Sequence, residues 1–262
     1  MRNPAKADAL KEAATKAGIK IEDNAPPLTI LPLDVLRHES IHRAVREILD
    51  RVHRLDVVIN NAGIGLGGFF EDMDESDLRD VMETNFFGAV ALIREVVPIM
   101  RKQGSGRIIN VTSIGGRVPL PAMTAYSASK FALEGLSESL RYELRPFGVD
   151  VVLVEPGTFK TDIFTSNRRM AKHAGSSDSP YRAVTEKVAN RVYERVAKVG
   201  GDPQRVADRI AHVVEARSPR LRYTVGVDAK AEAFLRWILP SAVPDLIAHR
   251  VLRAFGLGKE KS

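Results

Sequence analysis

The sequence predicts an α/β fold with a parallel central sheet, and three observations carry that prediction. Short apolar runs with β-branched members, Val57 to Ile59, Ile108 to Val111 and Val149 to Val154, read as fully buried strands. Segments of helical periodicity separate them, clearest at Ile41, Ala44, Val45, Ile48, Leu49 and Val52. The strands end at polar or glycine-containing turns, the edge at which open α/β sheets bind ligands. One continuous alternation over 262 residues argues for a single domain, 1–262.

Taken in order, Pro4 to Ala17 reads as a helix with Pro4 near its first position and Gly18 as terminator. Leu28 to Leu33 reads as a strand that Pro26, Pro27 and Pro32 confine to an edge. A helix from about Glu39 to His53 leads into the strand Asp56 to Asn60, whose following loop of small residues lets backbone approach a flat ligand. Leu66 to Phe70 offers exposed apolar bulk. Asp74 opens a long helix through Leu78, Val81, Met82 and Ala89, with Asn85 an unfavourable guest inside it.

The strand containing Ile108, Ile109 and Val111 stops at Thr112 and Ser113, and from Met123 a helix begins with Leu133, Leu136, Leu140 and Leu144 on one stripe. After the strand from Val149, Pro156 and Gly157 force a turn running to Thr161. Tyr181 to Val199 reads as a basic helix bounded by Gly200 and Gly201, another helix follows from Asp202 or Pro203 to Ala216, and Arg222 to Val227 is a last strand. The apolar extension 229–262 is broken at Pro240 and Pro244, so it cannot be one membrane-crossing helix. Its alternatives are a cap over a pocket, a homo-oligomer contact, or peripheral contact with a membrane surface.

Composition narrows the function classes. The chain has no cysteine, which leaves neither disulfides nor a thiolate nucleophile, and no motif indicates a metal. No apolar run follows Met1, so a cytoplasmic location is the default expectation. The net charge of +6 is concentrated in residues 160–222, with 14 Lys/Arg against 7 Asp/Glu, but the basic residues are scattered among acids. That reads as a solvated face, with attraction of an anionic substrate or carrier as the alternative, and nothing reads as a nucleic-acid module.

The chemistry lies between Arg107 and Lys130. Tyr126 and Lys130 stand at i and i+4 on one helix face, downstream of Ser113 at a strand's carboxyl edge. A free phenol holds its proton with a pKa of about 10, and a neighbouring ammonium is expected to lower it, making Tyr126 a general acid or base. Ser113, both donor and acceptor, is suited to steady a substrate oxygen. Alone, a Tyr-x-x-x-Lys spacing is equally an ordinary amphipathic turn.

Asn60-Asn61-Ala62-Gly63, Asn85, Ser113, Tyr126-x-x-x-Lys130 and Pro156-Gly157, in this order, resemble the short-chain dehydrogenase/reductase family, nearest to its hydroxysteroid and retinol branch. The resemblance covers roughly Arg2 to Val227 and implies a Rossmann-like, doubly wound sheet and an oxidoreductase interconverting an alcohol and its carbonyl with NADP or NAD. It implies Tyr126 as acid/base, Lys130 lowering its pKa and binding the nicotinamide ribose, Ser113 holding the substrate oxygen, and Asn85 in a proton relay. Cofactor contacts would fall to Asp34 and Val35 at the adenine, Asn61, Ala62 and Gly63 on the adenosine side, Tyr126 and Lys130, and Pro156, Gly157, Thr158 and Thr161 facing the nicotinamide. Arg2 stands where an arginine pairs with the 2′-phosphate, which favours NADP. Residues 162–202 correspond to the substrate flap, and the expected substrate is a small lipophilic carbonyl or alcohol of steroid, retinoid or long-chain type.

One family feature is absent: the opening strand, the Thr-Gly-x-x-x-Gly-x-Gly turn, its helix and the second strand. Val57 to Ile59 should then present an open edge, and the donors that hold a dinucleotide pyrophosphate are missing. Two expectations follow, an upstream segment of roughly 30 to 40 residues forming a βαβ unit, or a non-catalytic binding or assembly subunit.

Overall fold

The computed structural model describes residues 7–16, 18, 28–164, 169–240, 242–254 and 256–257. Among them, four parallel strands form the central sheet in the order β1 (Val57–Asn60), β3 (Gly106–Val111), β4 (Val149–Pro156), β6 (Arg222–Val225). Register places Val58 beside Ile108 and Ile108 beside Val151, while Ile109 stands between Ile59 and Val152. Because side chains alternate along a strand, these rows point to opposite faces. Val58, Ile108 and Val151 pack with Ile41 and Val45 of α2 (His38–Val52), Ile93 and Met100 of α4 (Gly88–Gln103), and Leu144 of α5 (Thr124–Leu144). On the other face Ile109, Val152 and Val154 meet Val213 of α7 (Gln204–Glu215). Helices on both faces make the sheet doubly wound, as the apolar runs predict.

β1 is the open edge. Among the described residues it pairs only with β3, and Ile59 is 43% exposed. The strand expected at Leu28 to Leu33 does not form. A strand is held by its ladder, and Pro32 lacks a backbone donor for one. Instead the chain turns into α2: the Asp34 amide donates to Ser40 Oγ at 2.9 Å, and Asp34 Oδ1 accepts from the Leu36 amide at 3.2 Å. Upstream, α1 (Asp8–Lys16) forms within the expected helix from Pro4 to Ala17, of which residues 4–6 and 17 lie outside the described ones.

Asp74 caps α3 (Glu75–Met82) in a reciprocal box with Asp77, the acidic first turn anticipated from sequence. The helix does not run on evenly to Ala89. A π-helical turn, Glu83–Phe87, separates α3 from α4 and carries Asn85 at its centre. Such turns occur mostly at functional sites.

The loop after β1 is fixed to the segment ahead of α6 (Arg182–Val199). Leu66–Gly67 (β2) pairs in parallel with Arg169–Met170 (β5). Lys172 Nζ and His173 Nε2 lie 2.6 and 2.7 Å from the Asp74 carboxylate. Phe69 stacks on Tyr181 with centroids 4.4 Å apart. The apolar bulk expected to be exposed here is divided, with Leu66 and Phe69 buried and Phe70 exposed. The tail folds as α8 (Val227–Ile238) and α9 (Ala242–Ala254), and no helix among the described residues is long and apolar enough to cross a membrane. Leu252 and Leu257 pack against Phe69, Ala122 and Val184, so the end of the tail covers the α6 region.

The register makes a stability prediction. Ile108→Ala removes a fully buried side chain between two strands and a helix layer and should cost about 2–5 kcal/mol, whereas Ile59→Ala on the open edge should cost under about 1 kcal/mol. Urea denaturation of both variants checks the order, and equal losses would contradict it.

Candidate active site

Ser113 sits just past β3, in extended backbone, with its Oγ accepting from the Gly115 amide at 3.1 Å. The phenol of Tyr126, on the first turn of α5, is close enough to this hydroxyl for Ser113 to work toward lowering its pKa. Both side chains converge on Gly115, where a Cβ would lie at an ordinary contact distance of 3.4 Å from Ser113 Oγ and Tyr126 Cε1. One turn along, the buried Lys130 reaches back to the sheet: its Nζ donates to the Val111 carbonyl at 3.0 Å and lies 5.8 Å from the Tyr126 ring centroid. The i and i+4 spacing thus brings phenol and ammonium to one edge, as the sequence indicates.

Asn85 projects from the π-turn into the same space. Its Oδ1 accepts from the Ile64 amide at 2.8 Å, and its Nδ2 donates to the Ile64 carbonyl and to Ser129 Oγ, both at 3.0 Å. The side chain therefore clamps the loop after β1 and joins it to α5. Gly63 in that loop would, with a Cβ, come within 3.3 Å of Asn85 Oδ1 and 3.7 Å of Lys130 Nζ. Asn61 and Ala62, just ahead of it, are exposed.

A second loop approaches from β4. The Gly157 amide donates to Val225 O, and Thr158 donates its amide to Asp228 Oδ2 at 2.8 Å. Burial works to raise the Asp228 carboxyl, but bonds from Thr158 and Ala229 and the charge of Arg195 hold it below the ordinary carboxylate range. Pro156, the last residue of β4, and Thr161 flank the same turn. Val35 packs so closely on the start of α4 that a Cβ on Gly88 would lie 2.9 Å from it. Arg2 lies outside the described residues.

The electrostatics correct one expectation. Tyr126 is not lowered by its lysine here; burial raises the phenol above its usual 10, and only the Ser113 hydrogen bond works against that. Burial likewise pushes the Lys130 ammonium down to about 8, partly offset by the charge of Glu134. Desolvation is the largest effect on each group.

Behind Lys130 lies a buried acidic cluster that sequence reading missed. Glu134, one turn past Lys130, accepts from Thr112 Oγ1 at 2.6 Å and from Arg222 Nε at 3.0 Å. Arg222 also pairs with Glu138, and its Nε lies 2.9 Å from Glu155 Oε1 without being aimed at it, leaving that oxygen without a hydrogen bond. Burial first, then the charge of Glu155, raises the Glu134 carboxyl to about 7 against the hydrogen bonds from Thr112 and Arg222. Glu134 was detectable as an acid four residues past Lys130. Ser129, Arg222 and Asp228 gave no local signal, because their partners are distant in sequence.

At the entry to α5 a cleft takes in about 560 Å³ of space between atoms, part of it open solvent. Leu66, Met123, Ile163, Met170 and Val188 line it, so the loop after β1, the entry to α5 and the segment after Thr161 each contribute a wall.

This arrangement has known counterparts. The profile of the short chain dehydrogenase family matches residues 4–172. The chain belongs to the short-chain dehydrogenase family. A 3-ketodihydrosphingosine reductase of Bacteroides thetaiotaomicron is 36% identical over 241 residues, covering 90% of this chain and 86% of that one. Human retinol dehydrogenase 8 is 33% identical over 225 residues, covering 85% and 70%. Among solved structures, a short-chain dehydrogenase from Streptomyces avermitilis superposes with a TM-score of 0.74 at 32% identity, covering 97% and 88%. One from Burkholderia cenocepacia, solved with NADP, gives a TM-score of 0.60 at 25% identity, covering 87% and 81%. Membership makes this short-chain dehydrogenase an oxidoreductase of the Rossmann-like class, in agreement with the sheet order.

The buried carboxyl gives a pH test of this dehydrogenase's architecture. Glu134 is raised from 4.5 to about 7, so the folded chain retains a proton that the unfolded chain releases. Its contribution is complete below about 4.5 and is lost as pH rises through 7. Glu134→Gln should therefore flatten the fall in denaturation midpoint across that window, and a slope matching the parent would refute the burial.

Proposed function

We propose that the chain interconverts a lipophilic alcohol and its ketone or aldehyde with NAD(P), using Tyr126 as the acid/base. The observation that carries this reading is the convergence of Ser113 Oγ and the Tyr126 ring on Gly115, with Lys130 Nζ beside the same ring. The nicotinamide, when bound, supplies or accepts the hydride. This chain's residues do the rest. Ser113 holds the substrate oxygen, and Tyr126 gives it a proton in reduction or takes one in oxidation. Asn85 links the loop after β1 to Ser129, whose Oγ bonds the Tyr126 carbonyl at 2.7 Å, so it keeps the proton-transfer groups in register.

The residues present fit the cofactor's nicotinamide half. Lys130 has three donors, and the bond to Val111 uses one, so others can meet ribose hydroxyls. Gly157 and Thr158, held by Asp228, offer backbone at the sheet edge together with Thr161, while Asn61 and Ala62 offer an exposed loop toward the adenosine half. The raised phenol pKa suits a group that must keep its proton until substrate arrives.

Lipophilic specificity is supported by the apolar cavity and by relatives named for a sphingoid ketone and for retinol. The half-buried Ser113 and the buried Tyr126, Lys130 and Asn85 favour an enzyme over a non-catalytic binding or assembly subunit.

Tyr126→Phe should lower kcat/KM on a long-chain ketone by roughly 100- to 10,000-fold while leaving the fold intact by circular dichroism. Turnover at the parent level would end the assignment. In the parent, long-chain ketones and steroids should outperform small polar sugars in kcat/KM, and the reverse order would remove the lipophilic reading. Arg2→Ala should weaken NADP binding relative to NAD in calorimetry, by on the order of tenfold for a lost charge-assisted pair; an unaltered ratio would exclude Arg2 from cofactor choice.

A further inference from the structure

The cavity's lining is apolar except for a few groups, and one of these is out of place. Thr185 lies on the first turn of α6, is only 5% exposed, and lines the cavity. Its Oγ1 is buried with no hydrogen-bond partner among the described residues. A helical threonine ordinarily satisfies its hydroxyl on the carbonyl four residues back. Here that carbonyl, of Tyr181, accepts the Thr185 and Val184 amides, and the hydroxyl is not bonded to it. Leaving a buried hydroxyl unpaired is unfavourable, so each such group in a native chain calls for an explanation.

We infer that Thr185 is a specificity residue, its hydroxyl reading a second polar group, a hydroxyl or carbonyl, carried by the lipophilic substrate away from the carbon that reacts at Tyr126. The inference rests on the cavity being the substrate pocket, as proposed above. The position is suited to the role. Val188 and Val192 follow Thr185 on the cavity side of α6, and Ala122 and Met123 come from the entry to α5, so a bound apolar chain would surround the hydroxyl with hydrocarbon. In that setting one unmatched polar group discriminates strongly, because a substrate lacking the complementary oxygen leaves Thr185 buried and unpaired. The preferred ligand class is therefore a bifunctional lipophile, with one oxygen at the reacting carbon and another along the chain or ring system.

The test compares a long-chain methyl ketone with derivatives in which a hydroxyl is walked along the chain, in the parent enzyme and in Thr185→Val and Thr185→Ser. In the parent, one hydroxyl position should raise kcat/KM over the plain ketone by on the order of tenfold. Thr185→Val, similar in shape but without the hydroxyl, should collapse that ratio to about one, and Thr185→Ser should retain most of it. A ratio that survives Thr185→Val, or no favoured position in the parent, overturns the assignment of Thr185 while leaving the lipophilic reading in place. Absence of turnover on every ketone in the series overturns both. An independent arm needs no substrate: Thr185→Val should raise the thermal midpoint of the unliganded protein, since it removes an unpaired buried hydroxyl. A lowered midpoint would show the hydroxyl satisfied within the fold and would also overturn the inference.

Discussion

The site depends on one constraint, a lysine ammonium taken out of water and held against the end of a strand. Lys130 is 5% exposed, and its Nζ bonds the carbonyl of Val111, the last residue of β3. That bond ties α5 to the sheet at the point where Ser113 leaves it. Tyr126, one turn earlier on the helix, is thereby set beside the serine. Shifting α5 by one residue would rotate the phenol about 100° around the helix axis and break the pairing. Burial makes this arrangement costly, and the fold offsets the cost with Glu134, whose carboxylate lies one turn further along the same helix.

A second layer of polar contacts supports the first. Asn85 grips the backbone of Ile64 from a π-turn and reaches Ser129 on α5, and Asp228 holds the turn after β4. These clamps fix loops that would otherwise be free at the sheet's edge. Arg222 joins the last strand to Glu134 and Glu138 on α5, which braces the helix from the opposite side. The groups that handle substrate and those that steady them are thus linked through α5, and the apolar layers on both sheet faces fix where α5 lies.

Much of this was legible in the sequence. The strands at Val57, Ile108 and Val149 announced themselves by apolar runs, and the i, i+4 spacing fixed Tyr126 and Lys130 on one face. What failed did so for identifiable reasons. Leu28 to Leu33 has strand-like composition, but a strand needs a ladder partner, which lies outside anything local pattern can show. The π-turn at Asn85 has no periodic signature, because it inserts a single residue's worth of slack into a pattern that remains helical on either side. The sign of the Tyr126 shift was missed because sequence reveals the neighbouring charge but not the depth of burial, and burial prevails. Arg222 and Thr185 were invisible for the complementary reason: an arginine in a strand and a threonine in a helix look ordinary until their surroundings are known.

The most direct test is the titration of Lys130 itself, followed by NMR with side-chain-labelled lysine and assigned through Lys130→Arg. An ammonium desolvated against β3 should titrate at about 8. A value in the ordinary range near 10.5 would mean that the ammonium reaches water, and the account of how α5 is anchored and Tyr126 positioned would be contradicted.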